Sequence, residues 1–255
     1  MALVAPGALQ VLWSHIASSK FMFLVGEIVS IPMTAIVVLE AFHYQVRFFP
    51  PRIVKVERRW NAKAVAMMAM TAALSVLLQA VSALLVLIPG FLTFRTDALV
   101  RFPFGAIFGM PAVWGTAIAN LVGDALTGSL SPGSVAGAIV SWWMAYLFYR
   151  CYRRTDQYEM RGALAWPKYY LVVSLWCLLG PLYLCTNFQL LRLFPSEIIW
   201  KGIFPAVAVT TFAGGLLGPL VARVVAPAAD RCGLSRSEMG YEQSTEAEAS
   251  AAGFR

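Results

Sequence analysis

The chain has 255 residues, 59% of them hydrophobic and 13% charged, with a mean hydropathy of +0.69 and a formal net charge of +7. Soluble domains carry roughly 45–50% apolar and about 25% charged residues, so the polar side chains here are too few to cover a soluble globule. A soluble domain, a disordered chain and a nucleic-acid module are excluded, the last because the basic residues sit in short segments between apolar runs and form no binding stripe.

A hydrocarbon core of about 30 Å is crossed by about 20 helical residues, and the sequence predicts an all-α integral membrane protein of about seven transmembrane helices. The first covers 21–42, with a kink expected at Pro32, and the second covers 64–88, ending at Pro89-Gly90. A pair of short spans, 97–110 and 112–128, meets at Met110-Pro111. Span 133–149 follows the turn Ser131-Pro132-Gly133, and 168–186 and 198–225 complete the set. No signal peptide is read at the N-terminus, where the first apolar run begins late and lacks a basic leader. Residues 229–255 are polar, acidic and rich in Ala and Ser, and are read as a disordered tail.

Orientation follows from Lys and Arg. Arg47, Arg52, Lys55, Arg58, Arg59 and Lys63 crowd the segment after the first span. Arg150, Arg153, Arg154, Arg161 and Lys168 lie after the fifth, and Arg223, Arg231, Arg236 and Arg255 in the stretch after 222. The alternate segments are nearly bare, with Lys20, Arg95 and Arg192. The positive-inside rule places the N-terminus outside and the C-terminus in the cytoplasm.

Small residues recur at intervals of about four, the spacing that lets helices approach closely in lipid. Ala62, Ala66, Ala69 and Ala73 line one face of the second span, and Gly115, Ala119, Gly123 and Thr127 one face of the fourth. Gly133, Gly137 and Ser141 do so in the fifth, and Thr210, Gly214 and Gly218 in the last. Internal packing explains each ladder; the alanine ladder also begins at the basic segment, where another subunit's helix has access.

Ionisable residues at membrane depth are candidates for function. Glu27 lies inside the first span, as a structural residue or part of a site, while Glu40 at its cytoplasmic end is read as interfacial. Arg95, Asp97 and Arg101 cluster at the outer end of the third span. They form either an Arg–Asp helix cap or a polar lip over an outward-facing pocket. Asp124 can join that lip, with Asn120 one turn deeper and Asn187, Gln189, Glu197 and Lys201 around the next outer loop. Trp142 and Trp143 are packing residues or, for one of them, a stacking surface for a planar ligand. His15, His43, Cys151, Cys177, Cys185 and Cys232 show no metal-ligand or disulfide spacing, and no cofactor is expected. Nothing in the chain would hydrolyse ATP, and Lys201 stands at the start of its span rather than mid-span as a retinal lysine would.

Residues 61–226 resemble the substrate-binding (S) component of an energy-coupling-factor vitamin transporter. The likeness rests on NAKAVAMMAMTAALSVLL after a basic segment, on the Pro-Gly outer loop LIPGFLTFRTDALV, and on the Gly-rich helix pair FGAIFGMPAVWGTAIANLVGDALTGSLSP. It implies a six-helix bundle over 61–228, preceded by an extra helix and basic linker in 1–60 and followed by the tail 229–255. It implies a small-molecule substrate, a coupling subunit docking on Ala62, Ala66, Ala69 and Ala73, and separate ATPase subunits, so this chain would be no enzyme itself. The implied pocket lies below loop 89–96 and takes in Arg95, Asp97, Arg101, Asp124, Trp142 and Asn187, with Arg95 and Arg101 favouring an acidic ligand group and Trp142 a ring. The extra first helix and acidic tail depart from the family. Two other readings stand beside this one: a membrane sensory or assembly subunit, and an integral-membrane enzyme using Glu27 and Asp124.

Overall fold

The computed structural model describes residues 19–48, 51–56, 58, 60–84, 86–88, 92–93, 95–152 and 155–236. The chain is mostly helical. In order come α1 (Ser19–Ala41), a hairpin of β1 (Tyr44–Phe48) and β2 (Pro51–Lys55), α2 (Ala62–Leu84), and a small antiparallel pair, β3 (Val86–Ile88) and β4 (Leu92–Thr93). Then follow α3 (Ala98–Phe108), α4 (Met110–Leu126), α5 (Pro132–Cys151), the single turn α6 (Thr155–Tyr158), α7 (Ala165–Leu190), α8 (Ser196–Gly215) and α9 (Gly218–Arg231).

Four of these helices, α1, α2, α7 and α8, are long and apolar enough to cross a membrane. Their outward faces are apolar: Ile31 is 71% exposed, Leu77 63%, Leu171 70% and Val209 67%. Seven spans were expected. The difference lies in α3, α4 and α5; α4, with 17 residues, falls short of the length that crosses a hydrocarbon core. With 11 residues, α3 is only about 16 Å long at 1.5 Å per residue, about half a hydrocarbon core, and almost its whole surface is buried. With 20 residues α5 is long enough, but it carries Ser, Tyr, Trp and Arg and is buried nearly all round. A helix enclosed on every side needs no apolar stripe.

Local signals fix several ends. Gly109, at φ 66°, turns the chain between α3 and α4 in a backbone conformation that L side chains rarely adopt. Pro111 occupies the first turn of α4, where its missing N–H costs nothing. Ser131 and Ser134 form a reciprocal capping box at the start of α5, and Pro132 opens that helix. The predicted span 198–225 is not one helix. It begins with a wider π-type turn at Ile199–Ile203 and breaks at Leu216 and Leu217, and Gly218-Pro219 then starts α9.

At the centre, α5 packs against α4, α3 and α7, while α2 covers α4, and α1 lies on α7 and touches α5. Small residues set the close crossings. A Cβ on Gly105 of α3 would meet the backbone of Ala145 in α5, and one on Gly115 of α4 would stand 2.6 Å from the Met68 oxygen in α2. The inner face of α2 is Ala64, Met67, Thr71 and Ser75, all buried. Residues 229–236, read as the start of a disordered tail, instead finish α9 and seat against the core: Arg236 donates its backbone N–H to Ile107 O (2.8 Å), its guanidinium reaches Tyr149 O (2.8 Å), and it lies 4.1 Å from the Tyr149 ring centre. The rest of the tail lies outside the described residues.

The Gly105–Ala145 crossing gives a stability test. Gly105→Val is expected to destabilise the protein by roughly 1–3 kcal/mol or more through overpacking against a backbone that cannot retreat. Leu126→Ala, at a side chain 73% exposed, is expected to change stability by under about 0.5 kcal/mol. Thermal unfolding in detergent micelles measures both.

Candidate functional site

Four of the six residues predicted to bind substrate come together. Arg95 is fixed just before α3, and its Nε and terminal nitrogen donate to Asp97 Oδ1 and Oδ2, both at 3.0 Å. Asp97 directly precedes α3, and Arg101 lies one turn along it. The Arg101 Nε stands 3.0 Å from Asp97 Oδ2 as an ion pair, off the hydrogen-bond line. The carboxylate makes no side-chain bond to the N–H groups of α3; it is committed to the two guanidinium groups. The side chains of Asp97 and Arg101 are fully buried, and that of Arg95 is 25% exposed.

From Arg101 the network continues across three helices. One terminal nitrogen donates to Ser141 Oγ in α5 at 2.7 Å and the other to Gln79 Oε1 in α2 at 3.4 Å. Ser141 Oγ donates to Asn120 Oδ1 in α4 at 3.1 Å, and Asn120 Nδ2 donates to Asp124 Oδ2 at 3.3 Å. Two arginines and two aspartates make the cluster neutral. Space for it comes from the glycine ladders, since a Cβ on Gly123 would strike the Gln79 amide and one on Gly137 would stand 2.6 Å from Asn120 Nδ2. Gly214 likewise admits the backbone of Arg95. These ladders serve internal packing.

Trp142 and Asn187 lie elsewhere. Trp142 is fully buried and stacks on Tyr146 at 4.2 Å between ring centres, with Trp114 and Trp143 edge-on at 5.9 and 5.6 Å. Asn187 is half-buried and donates to Tyr183 O within its own helix. Residues 89–91 and 94 of loop 89–96 fall outside the described residues. Glu27 is half-buried on α1, with no hydrogen bond or ion pair among the described residues, and α1 rests on α7 and α5 rather than on the helix of Asp124. Lys201 and Glu197 form an exposed pair at 3.5 Å.

A second buried cluster forms around Glu40, near the end of α1. The Glu40 side chain is fully buried and paired with Arg58, whose other terminal nitrogen donates to Glu40 O at 3.1 Å. Tyr146 donates to Glu40 Oε1 at 2.7 Å, and Arg150 to Tyr146 Oη at 3.3 Å and to Val46 O at 2.8 Å. The sequence hid this site because Arg58 reaches Glu40 only when the intervening segment folds back as the β1–β2 hairpin, an element that the reading of 43–63 as a basic linker passed over. Two cavities are present near these elements. One, of about 240 Å³, is an apolar crevice between α1, α5 and α7 lined by Pro32, Met33, Trp143 and Trp176 among others. The other, of about 170 Å³, is lined by Glu40, Ala41, His43, Arg58, Trp60 and Trp114.

The alanines Ala62, Ala66, Ala69 and Ala73 are all exposed on α2. Among the described residues no three His, Cys, Asp or Glu side chains are grouped to hold a metal. Comparison with family models, curated proteins and solved structures gave no match.

Removing the shared carboxylate tests the first cluster. Asp97→Asn removes the carboxylate that both guanidinium groups share, leaves Asp124 as the cluster's one counter-charge and is expected to cost about 3–5 kcal/mol, whereas Ser141→Ala removes one hydrogen bond to a charged group and is expected to cost about 1–3 kcal/mol. Unfolding midpoints of both variants in micelles check the order.

Proposed function

We propose that this chain is a multi-pass membrane protein acting as the small-molecule-binding subunit of an uptake system, the role that its resemblance to S components implies. Its four long apolar helices and their exposed Ile, Leu and Val side chains suit a lipid surround. The positive-inside rule puts the hairpin and the start of α2 in the cytoplasm, with the N-terminus outside.

The observation that carries the reading is the outward strip of Ala62, Ala66, Ala69 and Ala73. The opposite face of α2 makes the helix's internal contacts through Ala64, Met67, Thr71 and Ser75. A run of methyl groups on the outer face is smooth enough for a partner's helix to approach closely. It starts beside the basic hairpin, on the side where coupling and ATPase subunits would stand. In this proposal the substrate enters at the opposite end, near Arg95. The partly exposed guanidinium of Arg95 suits an acidic group on the ligand, with Asp97 and Arg101 fixing its position.

Small molecules co-purifying with the intact protein, identified by mass spectrometry, test the substrate half of the proposal. A vitamin-like compound that also raises the melting temperature is the expected result. Repeatedly empty protein with no thermal gain from a vitamin panel contradicts it. The double variant Ala66→Trp with Ala69→Trp is expected to keep ligand-dependent stabilisation and lose cellular uptake, and loss of both would return the strip to a packing role.

A further inference from the structure

We infer that the hairpin end of the bundle binds one anionic phospholipid, with Arg47 and Arg52 holding its phosphate and the crevice between α1, α5 and α7 taking an acyl chain. The inference rests on the membrane placement proposed above and is independent of the transport reading.

The two arginines carry the headgroup half. Residues 41–56 contain Arg47, Arg52 and Lys55 and no acidic residue. The register sets Arg47 directly opposite Arg52 across the β1–β2 ladder, and like charges facing each other there are destabilising. Arg47 is half-buried and Arg52 exposed, and neither has a hydrogen bond or ion pair among the described residues. Their guanidinium donors are uncommitted. A phosphate between them removes the repulsion and accepts from both planar forks.

The hairpin that presents this pair is fixed to the bundle. On the same face as the arginines, Gln45 is buried and donates to Tyr149 Oη of α5 at 3.2 Å. Arg150 of α5 donates to Val46 O at 2.8 Å. Arg47 lies two residues beyond Gln45, about 7 Å along the strand, which carries the pair to the rim of the bundle. The opposite face of the hairpin holds Tyr44, Val46 and Ile53. Ile53 is 60% exposed and the neighbouring Phe42 68%. Free cations beside exposed aromatic and aliphatic side chains suit the boundary between headgroups and acyl chains. A free phosphate would leave that apolar surface unused, so the occupant is a lipid.

The crevice supplies the acyl half. It measures about 240 Å³, and its lining is apolar, with Ile28, Pro32, Ile36, Trp143 and Leu147 among the residues. Ile28 is 64% exposed, so the crevice reaches the outer surface of the bundle. Both α1 and α5 lead from it to the hairpin. Ile36 lies about 7.5 Å before the end of α1 at Ala41. Leu147 lies about one turn before Arg150, the residue that bonds Val46 O. A chain lying in the crevice therefore has its headgroup end at the level of Arg47 and Arg52. Its methylenes give the lining atoms the contacts that a void would forfeit.

The test uses the intact protein in micelles of a neutral detergent, with phosphatidylglycerol, phosphatidylcholine and inorganic phosphate as probes. Thermal unfolding is read first, then tryptophan quenching by acyl-brominated forms of both lipids. Phosphatidylglycerol is expected to raise the melting temperature saturably at a concentration about tenfold or more below that of phosphatidylcholine, and inorganic phosphate to leave it unchanged. Brominated phosphatidylglycerol is expected to quench over the same range, because Trp143 and Trp176 line the crevice. The double variant Arg47→Gln with Arg52→Gln is expected to melt at or above the wild type without lipid, since the repulsion is gone, and to bind the two lipids alike. The inference is overturned if phosphatidylcholine matches phosphatidylglycerol, if inorganic phosphate protects as well, if brominated phosphatidylglycerol protects without quenching, or if the double variant keeps the preference. It is overturned too if the lipid-free double variant melts below the wild type, because an internal partner, such as the glutamates of 237–255, then holds the pair. Protein that stays soluble and folded without detergent would contradict the membrane placement itself, and the inference with it.

Discussion

One carboxylate holding two guanidinium groups in the interior is the constraint around which this bundle is arranged. The side chains of Asp97 and Arg101 have no solvent exposure, and an ionised group without water is tolerated only when paired and hydrogen-bonded. Asp97 meets that demand for both arginines. It thereby fixes where α3 begins, since Arg95 precedes the helix and Arg101 lies one turn inside it. Ser141, Asn120 and Gln79 then complete the solvation that water would have given, which ties α5, α4 and α2 to the same point. The glycines of those helices follow from this arrangement: without Gly123 and Gly137 the polar side chains would have no room.

The central helix α5 carries a second obligation. Ser141 serves the Asp97 cluster and Tyr146 the Glu40–Arg58 pair, five positions apart, or about 7.5 Å along the axis. Between them lie Trp142 and Trp143, which pack edge-on and, with Tyr146, form an aromatic layer. Two neutral polar clusters separated by aromatic packing make α5 buried nearly all round. That explains why a helix with so mixed a composition sits at the centre while more uniformly apolar helices lie outside it.

Much of this was legible from composition and spacing. The first helix, α1, was read to within two residues at its start, because a long apolar run has few alternatives. The ring of Arg95, Asp97 and Arg101 was found because charges are rare in such a chain. What escaped notice depended on chain reversals. The partner of Glu40 lies 18 positions on, past a hairpin whose Pro51 and paired Arg47 and Arg52 mask the usual strand pattern. The break at Leu216 and Leu217 was hidden by continuous apolar sequence. Gly218-Pro219 marks it only in retrospect, because Pro is equally at home in the first turn of a new helix. Trp142 reads from sequence either as packing or as a stacking surface for a planar ligand, because the two look alike there; in the structure its ring is buried against Trp114, Trp143 and Tyr146.

Asp97 and Arg101 stabilise the fold as a mutually compensating pair rather than as two separate polar groups. A double-mutant cycle on Asp97→Asn and Arg101→Gln, read by unfolding free energy in micelles, measures this directly. The neutral double variant is expected to be more stable than the sum of the two single losses implies, with a coupling of about 1–3 kcal/mol. Losses that simply add would contradict it.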